Sequence, residues 1–105
     1  MPEPKEYQLV ISKRAAFQLN EHAAFAARLE ERLALRLIQS FKEAAVSLIH
    51  MPFRMPFLDS DTIPDKKYRK MLFEKYYLIL YRVQDDTVYI EYVIDGRQDY
   101  QWLLS

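Results

Sequence analysis

The stretch YRKMLFEKYYLILYRVQDDTVYIEYVID, residues 68–95, decides the fold. Its β-branched, aromatic and other apolar residues form three runs, at 68–73, 76–83 and 87–95. Glu74 and Lys75 separate the first two runs, and residues 84–86 separate the last two. Short polar connections between such runs are typical of β-hairpins. The stretch therefore predicts an antiparallel meander of three strands.

Upstream of the meander, the sequence predicts one strand followed by helix. YQLVIS, residues 7–12, is rich in strand-forming residues and ends at Ser12, which can cap a following helix. Residues 13–49 lack proline and glycine and are dense in helix-forming residues. The apolar stripe of this segment comprises Leu29, Leu33, Leu37, Phe41, Ala44, Ala45 and Leu48. One helix of this length is unusual in a compact domain, so we expect a break within residues 26–30 and a helical hairpin.

The order of the predicted elements indicates the fold class. Residues 51–64, MPFRMPFLDSDTIP, contain three prolines and predict a loop between the helices and the meander. One strand, two helices and three strands (β-α-α-β-β-β) predict an α+β fold in a single domain, residues 1–105. We expect an antiparallel sheet of about four strands with the helices on one face and the first strand at an edge or beside a later strand. The end of the chain, DGRQDYQWLLS, predicts a short C-terminal turn or helix.

Alternation along the last two strands divides their side chains between two faces of the sheet. One face of the middle strand holds Tyr77, Ile79, Tyr81 and Val83, and the other holds Tyr76, Leu78, Leu80 and Arg82. On the last strand, we expect one face to hold Val88, Ile90, Tyr92 and Ile94, and the other face to hold Tyr89, Glu91, Val93 and Asp95. The second face mixes apolar and charged residues, so we expect it to be half buried and open to a partner, with exposed Leu78 and Leu80 as anchors. A cross-strand ion pair between Arg82 and Glu91 is an equally good account of those two charges.

Composition argues against several classes of protein. The chain has no cysteine and only two histidines, His22 and His50, which are far apart in sequence, so we expect no metal site and no cofactor. The N-terminus, MPEPKEYQLV, lacks the apolar core of a signal peptide, and no apolar run approaches the length of a membrane span. We therefore expect a cytoplasmic protein without membrane contact. Lysine plus arginine balances aspartate plus glutamate, so any nucleic-acid contact must come from a local patch.

Such a patch lies between Lys66 and Arg82. The segment contains six basic residues, Lys66, Lys67, Arg69, Lys70, Lys75 and Arg82, against Glu74 alone. Basic residues interleaved with tyrosines can hold phosphates and stack bases. Lysines on an edge strand also protect it from aggregation, and both interpretations remain open.

The only glycine of the chain, Gly96, lies in YVIDGRQDY, residues 92–100. Glycine is favoured where the backbone takes a positive φ or where another group approaches closely. We expect Gly96 to let the chain turn off the last strand and to present Arg97 and Gln98, with Asp99 capping the turn and Tyr100 and Trp102 packing back.

These elements, in this order, resemble the RelE/ParE superfamily of bacterial toxins. The middle strand, residues 77–83, is similar to the family pattern Tyr-x-hydrophobic-hydrophobic-Tyr-Arg-hydrophobic, and residues 95–99 resemble its His-Gly-Arg-Arg-Asp-like signature. SKRAAFQLNEH and the spacing from Leu48 to Pro52 also look like the family. The resemblance implies a growth-inhibiting toxin of a type II toxin-antitoxin (plasmid stabilisation) pair, neutralised by an antitoxin from the same operon. One branch cleaves messenger RNA on the ribosome without a metal, and the other poisons DNA gyrase.

Two departures from the ribonuclease branch favour the second branch. Leu78 stands where that branch has an arginine, and Asp95 stands where it has a basic residue or histidine. A carboxylate at this position would repel the phosphate that such an enzyme must stabilise. The candidate catalytic residues are Arg69, Lys70, Arg82, Arg97 and Tyr100, and the candidate partner-binding residues are Leu78, Leu80, Arg82, Asp95 and Arg97.

The resemblance leaves three functions open. We predict a ParE-like toxin that binds a protein target such as DNA gyrase. The alternative is a RelE-like endoribonuclease that acts on the ribosome with its mRNA, and the third is an inert relative. A cognate antitoxin is the expected partner, in a homodimer or a toxin-antitoxin hetero-oligomer.

Overall fold

A computed structural model describes residues 5–59 and 63–98 of the chain. The elements are β1 (Gln8–Ile11), α1 (Lys13–Leu29), α2 (Glu31–His50), β2 (Arg69–Phe73), β3 (Tyr77–Gln84) and β4 (Thr87–Asp95). The predicted α+β order β-α-α-β-β-β is confirmed. Residues 96–98 form a turn, closed by a 3.1 Å hydrogen bond from the Gln98 N–H to the Asp95 carbonyl oxygen. The rest of the predicted C-terminal turn or helix lies outside the described residues.

The helical hairpin forms as expected, and its break lies at Glu30. Ser12 caps α1 by accepting a 3.0 Å hydrogen bond from the Ala15 N–H. Glu30 has extended backbone angles, φ −165° and ψ 129°, and ends α1 before α2 begins at the next residue. The predicted apolar stripe is correct within α2 but not at Leu29, which is 69% exposed at the end of α1. Within the described ranges, neither helix combines the length and apolarity needed to cross a membrane.

The sheet has the strand order β1-β4-β3-β2. β2, β3 and β4 form the predicted antiparallel meander. β1 occupies the edge beside β4 but runs parallel to it, so the prediction of a wholly antiparallel sheet is wrong. Parallel neighbours need a long crossover connection, and the helical hairpin between β1 and the meander supplies one. Both hairpin loops differ by one residue from prediction because β3 begins at Tyr77 and ends at Gln84.

A β-bulge changes which side chains of β4 share a face. Leu80 pairs with Tyr92 and Tyr81 pairs with Ile90, so Glu91 has no partner on β3. The extra residue inverts the alternation beyond it. Val88 and Ile90 therefore lie in the helix-side core with Val93, whereas Tyr92 and Ile94 lie on the opposite face. The prediction that Val88, Ile90, Tyr92 and Ile94 share one face is wrong beyond the bulge.

Each face of the sheet has its own core. On the helix side, Leu37, Phe41 and Leu48 pack with buried strand residues that include Ile79 and Tyr81. On the other side, a second cluster contains Leu58, Tyr68, Leu80, Tyr92 and Ile94. The loop after α2 closes over this second cluster, because the Leu58 N–H bonds the Tyr68 carbonyl at 2.7 Å and the Lys70 N–H bonds the Pro56 carbonyl at 3.0 Å.

This loop overturns one sequence-based expectation. Leu80 is fully buried and Leu78 is half-buried against the second cluster, so they are not the exposed anchors that alternation predicted. The apolar residues of the loop occupy the surface that the strands alone would leave open.

Candidate functional site

The three candidate arginines separate into two surfaces at opposite ends of β3. The end groove is lined by Phe25, Ala26, Leu29, Leu33, Leu37, Glu74, Tyr76, Tyr77 and Arg97. The basic cleft is lined by Phe53, Phe57, Lys66, Lys67, Arg69, Arg82 and Val83. Arg97 therefore belongs to one surface, and Arg69 and Arg82 belong to the other.

Asp95 and Arg97 form a closed ion pair beside the end groove. The Arg97 guanidinium donates from Nε to Asp95 Oδ1 at 3.0 Å and from Nη2 to Oδ2 at 2.8 Å. The Arg97 backbone N–H adds a 2.9 Å bond to Oδ1, and the guanidinium lies 3.6 Å from the centre of the Tyr76 ring. These hydrogen bonds hold the pKa of Asp95 below its usual value, and they raise the pKa of Arg97.

The ion pair changes the interpretation of Asp95. It is 8% exposed and lies opposite Tyr77 in the sheet register. Its carboxylate is neutralised by a fork-to-fork contact with Arg97, which is the geometry of strong guanidinium-carboxylate pairs. Arg97 therefore uses one Nε and one Nη2 N–H donor on Asp95, and its guanidinium lies over the Tyr76 ring.

Gly96 is required by a close approach rather than by its backbone angles. It does not have a positive φ. A Cβ at this position would lie 2.7 Å from the Tyr76 carbonyl oxygen, and that oxygen also accepts a 2.8 Å hydrogen bond from the Gly96 N–H. The predicted turn is present, and its glycine allows the β4 end to pack against the start of β3.

The wall of the end groove is largely apolar and comes from the helical hairpin. Phe25 and Leu29 are 55% and 69% exposed, although both lie on a helix that has a buried face. Glu74 lines the opposite side and is fixed by a 2.6 Å hydrogen bond from the Ser40 hydroxyl. The groove thus combines exposed apolar side chains with a carboxylate and a guanidinium at its rim.

The basic cleft lies where the loop after α2 meets β2 and β3. Arg69 donates from Nη1 to the Met55 carbonyl at 2.6 Å, and its guanidinium lies 3.9 Å from the centre of the Phe57 ring. Arg69 pairs in the sheet register with Tyr81, the residue before Arg82, and it lines the cleft together with Arg82. Arg69 therefore attaches the loop to β2 and also contributes charge to the cleft.

Arg82 is held by neighbours on its own face of the sheet. It donates from Nη1 to Gln84 Oε1 at 2.7 Å, and its guanidinium lies 4.1 Å from the centre of the Tyr89 ring. The predicted pair with Glu91 is present at 4.0 Å, but Arg14 lies at the same distance from that carboxylate. The Arg82 side chain remains 35% exposed, and in this position an ion pair contributes little.

The predicted catalytic residues do not converge. Arg97 packs on Tyr76, before the first residue of β3, whereas Arg82 lies near the end of that strand. Six residues of extended chain separate positions 76 and 82, which corresponds to about 20 Å at a rise of about 3.3 Å per residue. One phosphate cannot contact both arginines across this distance.

Two other candidates also lie apart. Lys70 pairs with Leu80 in the sheet register, on the strand next to the second cluster, and does not line the basic cleft. Tyr100 lies outside the described residues. Burial raises the pKa values of Tyr68, Tyr77 and Tyr81, which is opposite to the direction that a tyrosine base requires.

Sequence reasoning missed the way in which α1 covers the exposed edge of β4. β1 pairs with β4 only as far as Ile90. Beyond it, Gln18 Oε1 accepts a 2.8 Å hydrogen bond from the Val93 N–H, and His22 Nε2 lies 3.0 Å from the Val93 carbonyl oxygen. Arg14 Nε donates to the Glu91 carbonyl at 3.1 Å. The four-residue spacing of these three polar side chains is a helical-face signal that indicates a common contact.

The comparisons with known proteins agree with this architecture. The model of a protein family described as "ParE toxin of type II toxin-antitoxin system, parDE" matches residues 9–100. A solved structure titled "Chromosomal ParDE TA system from P. aeruginosa" is similar, with a TM-score of 0.72 and 18% sequence identity, over 87% of this chain and 97% of that chain. At this identity, the likeness concerns the fold. Comparison with curated proteins gave no significant match.

Proposed function

The chain belongs to the ParE family of toxins from type II toxin-antitoxin systems, and from this premise we propose that it acts by binding a protein target rather than by cleaving RNA. DNA gyrase is the target that the sequence resemblance implies. An antitoxin is the partner that the family implies. Both proposed interactions place the working protein in the cytoplasm.

The observation that supports this proposal best is the distance between Arg97 at one end of β3 and the pair Arg69 and Arg82 at the other end. Metal-independent cleavage of RNA needs positive charge and proton-transfer groups around one phosphate. Here Arg97 is paired with Asp95, and Arg82 is about 20 Å away along β3 by the rise of an extended strand. Losing one well-placed transition-state donor typically lowers a rate by about 10² to 10³, so a site without the Arg97 donor would be a poor catalyst.

A supercoiling assay tests the proposed target. Purified toxin is titrated into DNA gyrase with relaxed plasmid and ATP, and supercoiled product is measured. We expect inhibition that increases with toxin concentration and disappears when the antitoxin is added in equimolar amount. A toxin that stops growth in cells but leaves gyrase activity unchanged would contradict the choice of gyrase. The same toxin can be tested for a different bound protein by affinity capture and mass spectrometry.

The antitoxin contact is proposed at the end groove. Apolar side chains that are more than half exposed, Phe25 and Leu29, favour burial against a partner. A groove bounded by two helices and a strand end suits an amphipathic segment of the antitoxin that orders on binding. Arg97 and Glu74 at the rim offer charges of both signs for fixing the register of that segment.

A pair of variants on one helix tests this contact. Leu29→Glu places a charge in the end groove, and Phe17→Glu places the same charge on α1 outside the groove, where Phe17 is 63% exposed. Each toxin is co-expressed with the small protein encoded beside its gene, and the complex is captured through a tag on the toxin. We expect Leu29→Glu to lose the complex and Phe17→Glu to retain it. Equal capture of both variants would contradict the proposed site.

The basic cleft is the one observation that favours the alternative, a RelE-like ribonuclease. It gathers Lys66, Lys67, Arg69 and Arg82 around a single depression. Its described lining contains no carboxylate, histidine or tyrosine for proton transfer. The cleft thus has groups that attract phosphate, but in its described lining lysine is the one residue type that transfers protons in enzymes.

A further inference from the structure

We propose that the basic cleft binds the backbone of a single-stranded nucleic acid without cleaving it. The cleft has a volume of about 160 Å³ and is lined by two lysines, two arginines, two phenylalanines and a valine. This activity is separate from the proposed action on gyrase and uses a different surface from the end groove.

The positive charge of the basic cleft favours a phosphate ligand. Four cations surround one depression in a protein whose net charge is zero. Among residues 5–59 and 63–98, the only carboxylate within 4.0 Å of any of the four is that of Glu91, which approaches Arg82 and is shared with Arg14. A cleft lined by one sign of charge concentrates ligands of the opposite sign, and phosphate is the ligand that arginine and lysine commonly bind together.

The two arginines are positioned in advance and keep donors for a ligand. Arg69 is held by the Met55 carbonyl and the Phe57 ring, and Arg82 is held by Gln84 and the Tyr89 ring. A guanidinium has five N–H donors, and the described hydrogen bonds of each arginine come from a single nitrogen, Nη1. Little side-chain entropy is therefore lost when the remaining donors bind a phosphate.

The lysines add two exposed charges to the basic cleft. Lys66 and Lys67 are exposed in the turn before β2, and Lys66 has a left-handed backbone with φ 61°. The Lys67 ammonium lies 5.3 Å from the centre of the Tyr68 ring. Both side chains can follow the backbone of a flexible ligand, and truncating them removes the described contact between Lys67 and Tyr68.

The aromatic rings favour a single strand over other anions. Phe53 and Phe57 are 56% and 37% exposed at the cleft, beside the cations. Exposed rings next to a basic groove are the platform on which unpaired bases stack. A duplex keeps its bases stacked on each other, and an acidic peptide has no bases, so neither would use these rings in this way.

Fluorescence anisotropy with labelled oligonucleotides tests the proposal. The probes are oligo(dT) and oligo(rU) of about 15 nucleotides, within the range that one small binding module covers. Binding is measured for the intact toxin between about 50 and 200 mM salt, where contacts with phosphates weaken strongly. The test variant is Lys66→Ala/Lys67→Ala, and Lys13→Ala/Lys42→Ala is a control that removes the same charge from helices α1 and α2 outside the cleft.

The proposal predicts the following results. Both single strands bind, and the slope of log K against log salt decreases by about 1.4 in the cleft variant, because each lost contact with a single strand contributes about 0.7. The control variant keeps the wild-type slope. Phe53→Ala weakens binding by at least about fivefold, as expected for loss of one stacked base. The oligo(rU) probe remains uncut.

Other results would overturn the proposal. The first is that the control variant loses as much binding as the cleft variant. The second is that duplex DNA or poly-glutamate binds as tightly as the single strands. The third is that the RNA probe is cleaved. The gyrase assay uses no single-stranded probe, so failure of this proposal is distinguishable from failure of the proposed function.

Discussion

Replacing Gly96 with alanine tests the close approach that ends β4. Gly96 does not have a positive φ, so alanine can adopt its backbone and, without a clash, would stabilise the protein by about 0.4–1 kcal/mol through the unfolded state. The new Cβ, however, would lie 2.7 Å from the Tyr76 carbonyl oxygen. That atom belongs to the backbone and cannot rotate away as a side chain does.

Because of this clash, we expect Gly96→Ala to destabilise the protein. Overpacking of this kind typically costs about 1–3 kcal/mol. Separating the two strand ends would also stretch the 2.8 Å bond between the Gly96 N–H and the Tyr76 oxygen, and such a bond contributes about 0.5–1.5 kcal/mol. We therefore expect Gly96→Ala to lower the free energy of unfolding by about 1–2 kcal/mol and Tm by about 5–15 °C.

Urea and thermal unfolding measure this change, and Lys75→Gly is the matched control. Lys75 has φ 73°, a conformation that costs a residue with a Cβ about 1–2 kcal/mol. Glycine removes that strain but adds entropy to the unfolded chain, so the free energy of unfolding should stay level or rise by up to about 1.5 kcal/mol. A Gly96→Ala protein as stable as the wild type would refute the argument from close approach.

Three further predictions concern buried and paired groups. Tyr81→Phe should lower the free energy of unfolding by about 1 kcal/mol, because it removes the buried 2.6 Å bond from the hydroxyl to the Pro52 carbonyl; unchanged urea unfolding would contradict this. Leu80→Ala should lower the free energy of unfolding by about 2–5 kcal/mol, because Leu80 is fully buried. If Leu80 were an exposed anchor, the same substitution would change it by less than about 0.5 kcal/mol. Asp95 has a depressed pKa in the folded state, so its pairing with Arg97 stabilises the fold fully above the usual carboxyl pKa of about 4. This stabilisation is lost as pH falls through the folded pKa. Asp95→Asn should therefore flatten the acid part of the plot of unfolding free energy against pH, and an unaltered plot would refute this prediction.

Local patterns predicted most of the elements. The strand runs, their short connections and the absence of helix breakers in residues 13–49 are properties of neighbouring residues, and each matched the structure within a few positions. The break at Glu30 was expected from helix length alone, although no glycine or proline marks it. The direction of β1 was not predictable in the same way, because strand pairing depends on residues about 80 positions away.

The bulge in β4 shows why the faces of the sheet were only partly predicted. Tyr92, Val93 and Ile94 are all apolar, so alternation cannot tell which of them faces the helices. The extra residue at Glu91 therefore changes which face each later side chain occupies, and the apolar pattern of the sequence does not show this change. Leu80 was misplaced for a related reason, since the loop that covers it is distant in sequence.

The candidate site was predicted as residue types rather than as geometry. The sequence identified Arg69, Arg82 and Arg97 as notable charges, but their partners decide what each can do. Arg69 bonds a loop carbonyl that no pattern reveals. Arg97 pairs with Asp95, two residues before it, and this spacing on either side of a glycine is a local signal that is visible in the sequence.

The central claim, a toxin that binds a protein target and does not cleave RNA, is tested most directly in induced cells. DNA synthesis and protein synthesis are followed in parallel, and the 5′ ends of messenger RNA on ribosomes are mapped over the same interval. We predict that DNA synthesis stops first and that no codon-positioned cuts appear. Cuts at defined codons that vanish in Arg82→Ala or Tyr100→Phe would contradict it and identify a ribonuclease.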